Sequence, residues 1–133
     1  MRTAARETTF KIVFASQFTE PEHGLSRALF KAENLTENDE KYCNGVLKII
    51  GEHGKELEEL LDSHSRLFPA SGLFPADKSI LLVALAEILY MEEIPSAVSV
   101  NEAANIASKY SSAKSASFVS GILAEIIRER ENV

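Results

Sequence analysis

Apolar residues recur along this chain at spacings of three and four, the interval that lines one face of an α-helix, and no segment alternates with the period of two that marks a strand. The pattern predicts an all-helical fold. A first helix turns Phe10, Val13, Phe14 and Phe18 inward. Thr19 ahead of Pro21, a cap followed by a first-turn proline, opens a short second helix through Leu25, Leu29 and Phe30. Thr36 caps a third, whose Asp39 and Glu40 sit at the positive end of its dipole and whose Tyr42, Val46, Ile49 and Ile50 form its buried stripe. Gly51 and Gly54 predict a break or kink before Leu57, Leu60 and Leu61 resume the pattern.

The phrase Leu-Phe-Pro-Ala stands at Leu67 to Ala70 and again at Leu73 to Ala76, around Ser71-Gly72. It is too short for a repeat architecture and predicts a connector between two helical subdomains, with Phe68 and Phe74 anchored in the core. Asp77 caps the central helix, Pro95 follows its end, and Ser99 with Glu102 writes a capping box for a helix running to about Tyr110. Ser115 or Ser117 caps the last helix, where Phe118, Ile122 and Ile126 interleave with Val119, Leu123 and Ile127. Gly121 would let a neighbouring helix approach closely. The expected architecture is all-α, a single domain over 1–133 built as a bundle of about seven helices in two small subdomains.

Composition supports a folded core. The 133 residues are 45% apolar and 26% charged, ordinary for a globular chain and wrong for disorder. One cysteine, Cys43, excludes an internal disulfide and an all-cysteine metal cage, and is expected as a small buried thiol. The longest apolar run, Ile80 to Met91, is broken by Glu87 and falls well short of the roughly 20 residues of a spanning helix. Phe10 to Phe18 is interrupted by Lys11 and Gln17 with no clean cleavage pattern after it, so no signal peptide is read there and a cytoplasmic protein is expected.

A net charge of −6 argues against coating nucleic acid by bulk electrostatics. The distribution is uneven. Arg2, Arg6 and Lys11 stand near the start against only Glu7, Lys109 and Lys114 stand in a stretch without acids, and acids concentrate between Glu33 and Glu59. Glu87 is the only charge from Ile80 to Met91, so it must reach the helix surface or be paired, since burying it alone would cost several kcal/mol.

Catalytic patterns are missing. His53 has Glu52 and Glu56 beside it and Glu20 stands three before His23, but a dinuclear carboxylate site needs two Glu-x-x-His helices and two further glutamates. A solvated helix face accounts for them. Gly-rich phosphate loops, a Cys-x-x-Cys pair and a G-x-S-x-G elbow are absent, so neither an enzyme nor a cofactor is expected.

Ala5-Arg6-Glu7, the central run Asp77 to Ile88, Ile94-Pro95, Val100-Asn101-Glu102-Ala103, Lys109-Tyr110 and Phe118-Val119-Ser120-Gly121-Ile122-Leu123 occur in an order that resembles the NusB family of bacterial transcription antitermination factors. The resemblance spans nearly the whole chain and is weakest from about His23 to Leu73. Leu82 stands where the family usually has Arg, Ala86 where it has Tyr, and Ser120 where it has Asn; Arg2 and Arg6 remain of a longer basic cluster.

The resemblance implies that the N-terminus and the start of the last helix lie together and grip single-stranded boxA-like RNA, nominating Arg2, Arg6, Lys114 and Phe118. Cations would hold phosphates and the aromatic would stack on a base. Read from residues alone, the two arginines, about 40° apart on one helix face, are more simply ordinary surface charge, and Phe118 is equally core. The resemblance further implies that Phe14 and Glu87 face NusE, a small-subunit ribosomal protein, and that the two proteins seed an antitermination complex on RNA polymerase during ribosomal RNA synthesis. About three phosphate contacts give a salt slope near about −2, too little for tight binding by an acidic chain alone, so joint binding is expected. A homodimer stays open. One alternative is a helical protein-interaction module that kept the fold and lost RNA binding. Another is the accessory domain ahead of some ribosomal RNA cytosine methyltransferases, whose activity is not expected from a chain ending at Val133.

Overall fold

The computed structural model describes residues 2–18, 24–64 and 73–131. Six α-helices lie among them: α1 (Arg2–Ser16), α2 (Leu25–Ala32), α3 (Glu37–His64), α4 (Pro75–Tyr90), α5 (Ser96–Tyr110) and α6 (Ala113–Glu131). No strand occurs among the described residues. The central helix α4 is apolar all round, and a helix of that kind survives in water only when covered on every side. Every residue from Ser79 to Glu87 is buried, and α1, α3, α5 and α6 all pack on it. All six helices contribute to one core.

The expected break at Gly51 and Gly54 is absent. Val46, Leu57 and Leu61 continue one buried stripe across both glycines, so packing on α4 outweighs a helix-propensity cost of about 1 kcal/mol per glycine. One long helix therefore replaces two, which gives six helices rather than about seven. Thr36 caps α3 as expected and in reciprocal form: its hydroxyl accepts from the Asp39 N–H at 3.1 Å and its own N–H donates to Asp39 Oδ2 at 3.4 Å. α2 ends in a left-handed turn at Asn34 (φ 53°), with Leu35 N–H reaching back to the Phe30 carbonyl at 3.0 Å.

Other caps differ from the sequence expectation. α4 begins at Pro75, two residues before Asp77, because a proline preorganises the first turn; Asp77 is buried inside it. α5 begins at Ser96 behind Pro95, which leaves Ser99 inside the helix and free of capping duty. Ser112, not Ser115 or Ser117, caps α6, its Oγ accepting from the Ser115 N–H at 3.0 Å. Gly121 is exposed, and a Cβ there would meet nothing within 4 Å, so no helix approaches it. The Thr19 cap and Phe68 lie outside the described residues.

Phe14 and Phe18 do not join the core. Tyr110, the last residue of α5, covers Phe10 at 5.2 Å between rings, and beyond that point no helix among the described residues roofs the same row of α1. Phe14 is 36% and Phe18 61% exposed. Phe74 is 74% exposed rather than an anchor. Cys43 is buried as expected, its thiol donating to the Ala5 carbonyl at 3.4 Å.

Candidate functional site

Two of the six nominated residues are found in the core. α1 and α4 run antiparallel, which carries Arg6 to Glu87 at one end and Gln17 to the Pro75 carbonyl at the other. Arg6 and Glu87 form a two-pronged ion pair, Nε to Oε2 at 2.8 Å and Nη2 to Oε1 at 3.0 Å. They are 5% and 1% exposed. Tyr42 of α3 donates its hydroxyl to Glu87 Oε2, and Ser99 of α5 donates to Oε1 at 2.9 Å. Glu102 adds a second acid 3.6 Å from Arg6. Burial alone would lower the Arg6 pKa, yet the hydrogen bonds and charge of Glu87 more than reverse this and hold the guanidinium above its ordinary value. Burial and the Glu87 charge together push the Tyr42 phenol far up, so it stays protonated and donates.

These positions correct the surface roles expected for Arg6 and Glu87. Neither is open to phosphate or a partner protein in this arrangement, because both side chains are buried and paired with each other. Glu87 instead ties α1, α3, α4 and α5 at one point. The sequence held half of this signal, since a lone charge in an apolar run must be paired; Tyr42 and Ser99 carried none.

The other four nominated residues remain accessible. Arg2 is exposed at the start of α1 and lays its guanidinium 4.6 Å over the Tyr42 ring. Lys114 is exposed in the first turn of α6, and Phe118 is half-buried one turn later. Phe14 stacks edge-on with Phe18 at 5.1 Å. Arg2 and Lys114 do not sit side by side: Arg2 lies at the Glu87 end of α1, whereas α6 starts at the Gln17 end, where Ser115 meets Asp77. Arg2 and Gln17 are about 22 Å apart along the helix.

Between those ends runs a face of aromatic rings and cations. Lys109 pairs with Glu7 at 3.1 Å and lies 5.4 Å over the Tyr110 ring, while Lys11 pairs with Glu33 at 3.4 Å and lies 5.9 Å from the same ring. Hydrogen bonding to Glu7 raises the Lys109 pKa, and the pull of Tyr110 and Glu33 outweighs desolvation to raise that of Lys11. Both stay charged, but each is matched by an acid. Arg2 and Lys114 have no acid paired with them among the described residues.

Phe118 and Lys114 rim a cavity of about 410 Å³ with Phe74 and Asp77. Asp77 is 4% exposed; its Oδ2 accepts from Ser115 at 3.2 Å and its Oδ1 has no partner among the described residues. Burial raises its pKa, and the hydroxyls of Ser115 and Ser111 only partly offset that. A carboxylate with a raised pKa favours folding when protonated and opposes it when ionised, so its stabilising share is lost as pH rises through the folded value. Asp77→Asn should therefore melt above the parent at pH 7, and the pH-dependent part of the difference should vanish below about pH 3, where the acid is neutral in both states. Thermal melts across that range check it.

Comparison with known proteins then places the chain. The family model described as the NusB family matches residues 3–128. The chain belongs to the NusB family. A transcription antitermination protein NusB of Ruminiclostridium cellulolyticum is 34% identical over 127 residues, covering 94% of this chain and 87% of that protein. T. maritima NusB superposes with a TM-score of 0.86 at 24% identity, covering 97% and 92% of the two chains. A chain in the crystal structure of antitermination factors NusB and NusE in complex with dsRNA gives the same TM-score at 18% identity, covering 96% of each. At those identities the two structures speak for the fold alone. The all-helical architecture is thus that of NusB, with the Arg6–Glu87 pair at its centre. No helix among the described residues is long and apolar enough to cross a membrane, and no group of metal-ligating side chains gathers among them.

Proposed function

We propose that this NusB-family chain acts in transcription antitermination by binding boxA-like single-stranded RNA jointly with NusE, in the cytoplasm and by contact rather than chemistry, as part of an assembly on RNA polymerase. The observation that carries the reading is the exposure of Lys114 one turn from the accessible ring of Phe118, with Arg2 exposed at the other end of α1, on a chain of net charge −6. Unpaired bases stack on such rings while isolated cations hold phosphates. A gel shift of a boxA RNA with and without NusE tests it: a complex that needs both proteins is expected, and no shift under either condition would leave a protein-only interaction module as the better description.

Phe14 and Phe18 form the apolar patch proposed to meet NusE. Aromatic anchors at the centre of an interface carry much of its energy. Phe14→Ser should weaken NusE capture by about tenfold or more with a much smaller effect on the melting temperature, because the ring lies outside the core and is 36% exposed. Equal loss of both in calorimetric titration and melting would assign Phe14 to the fold instead.

A further inference from the structure

The cavity between the first turns of α4 and α6 has features that phosphate binding does not use. Asp77 lines it and holds a buried carboxylate oxygen with no partner among the described residues, a costly arrangement that a donor reaching it would relieve. Phe74 is 74% exposed at the rim and Phe118 is half-buried opposite the same space, while Lys114 stands at the mouth. The volume, about 410 Å³, is in the range of small-ligand pockets. An acceptor floor, aromatic walls and a cation at the entrance match a nucleotide whose base edge offers donors.

We propose that this cavity takes one unstacked guanine of the bound RNA, its Watson–Crick edge against Asp77 and its ring against Phe118 and Phe74, with Lys114 on the adjoining phosphate. The proposal rests on the RNA-binding reading of the same face. Guanine is chosen by the chemistry of its edge. It places two N–H donors side by side, whereas the amino groups of adenine and cytosine adjoin a ring acceptor and the uracil N–H is flanked by two carbonyls, each of which a carboxylate repels. Asp77 is then the residue that sets base preference, and the phenylalanines supply sequence-tolerant stacking.

The test uses the full chain with NusE and fluorescent uridine dodecamers carrying guanosine, inosine, adenosine or uridine at one central position. The guanosine probe is expected to bind about tenfold tighter than the uridine probe, the size of one charge-assisted hydrogen bond, with inosine, which lacks the 2-amino donor, between them. Asp77→Asn should erase the guanosine advantage. Phe74→Leu, at an exposed side chain, should weaken guanosine and adenosine probes alike by about tenfold. The inosine arm alters only the RNA, so it decides even if a protein variant does not fold. Equal binding of guanosine and inosine by the parent, or a guanosine advantage that survives Asp77→Asn, overturns the pocket while leaving RNA binding intact. Absence of binding to every probe overturns the RNA reading and the pocket with it.

Discussion

Glu87→Ala is expected to cost about 3–5 kcal/mol of folding stability, the loss associated with removing one partner of a buried ion pair. The guanidinium of Arg6 would be left 5% exposed with only Glu102, at 3.6 Å, as a counter-charge. Tyr42 and Ser99 would lose their acceptor at the same time, stranding two more buried hydroxyls. Arg6→Ala should be similarly severe, since it leaves the carboxylate buried. Replacing both at once, Arg6→Met with Glu87→Leu, should recover much of the loss, because apolar pairs of similar volume commonly match or exceed buried ion pairs. Urea denaturation of the two single variants and the double variant checks this as a cycle. A loss below about 1 kcal/mol for Glu87→Ala would mean the charge is surface-like after all.

That result separates what was legible in the sequence from what was not. Helix period, the Thr36 cap, the buried Cys43 and the all-round apolar character of α4 follow from local pattern, and the structure has each of them. The pairing of Arg6 with Glu87 spans 81 residues and depends on the antiparallel register of α1 on α4, which no local rule supplies. Gly51 and Gly54 misled for the opposite reason: a local preference for a break lost to the continuous stripe of Val46, Leu57 and Leu61. Phe14 and Phe18 keep the correct period for burial, yet α5 stops at Tyr110 and leaves them bare. At the candidate site, Lys114 and Phe118 are nominated by resemblance, whereas the unpartnered oxygen of Asp77 depends on the docking of α4 against α6, which no local pattern encodes.

The second large effect concerns RNA. With Arg6 withdrawn into the core, two of the three nominated cations, Arg2 and Lys114, remain exposed, so the proposed share of the salt slope falls to about −1.4 from about −2 for three contacts. Arg2→Ala and Lys114→Ala should each weaken joint binding at all sequences. Phe118→Leu should cost about 1–3 kcal/mol through lost stacking with little change in slope, since stacking releases few counterions. Arg6→Ala should act otherwise, lowering affinity only as far as it lowers the folded fraction.

The most direct measurement is the affinity of the NusE mixture for a boxA RNA across a salt series, comparing the parent with Lys114→Ala and Arg2→Ala and with melting temperature as the folding control. The account predicts a slope flatter by about 0.7 in each variant at unchanged melting temperature; parent-like slopes in both would contradict it.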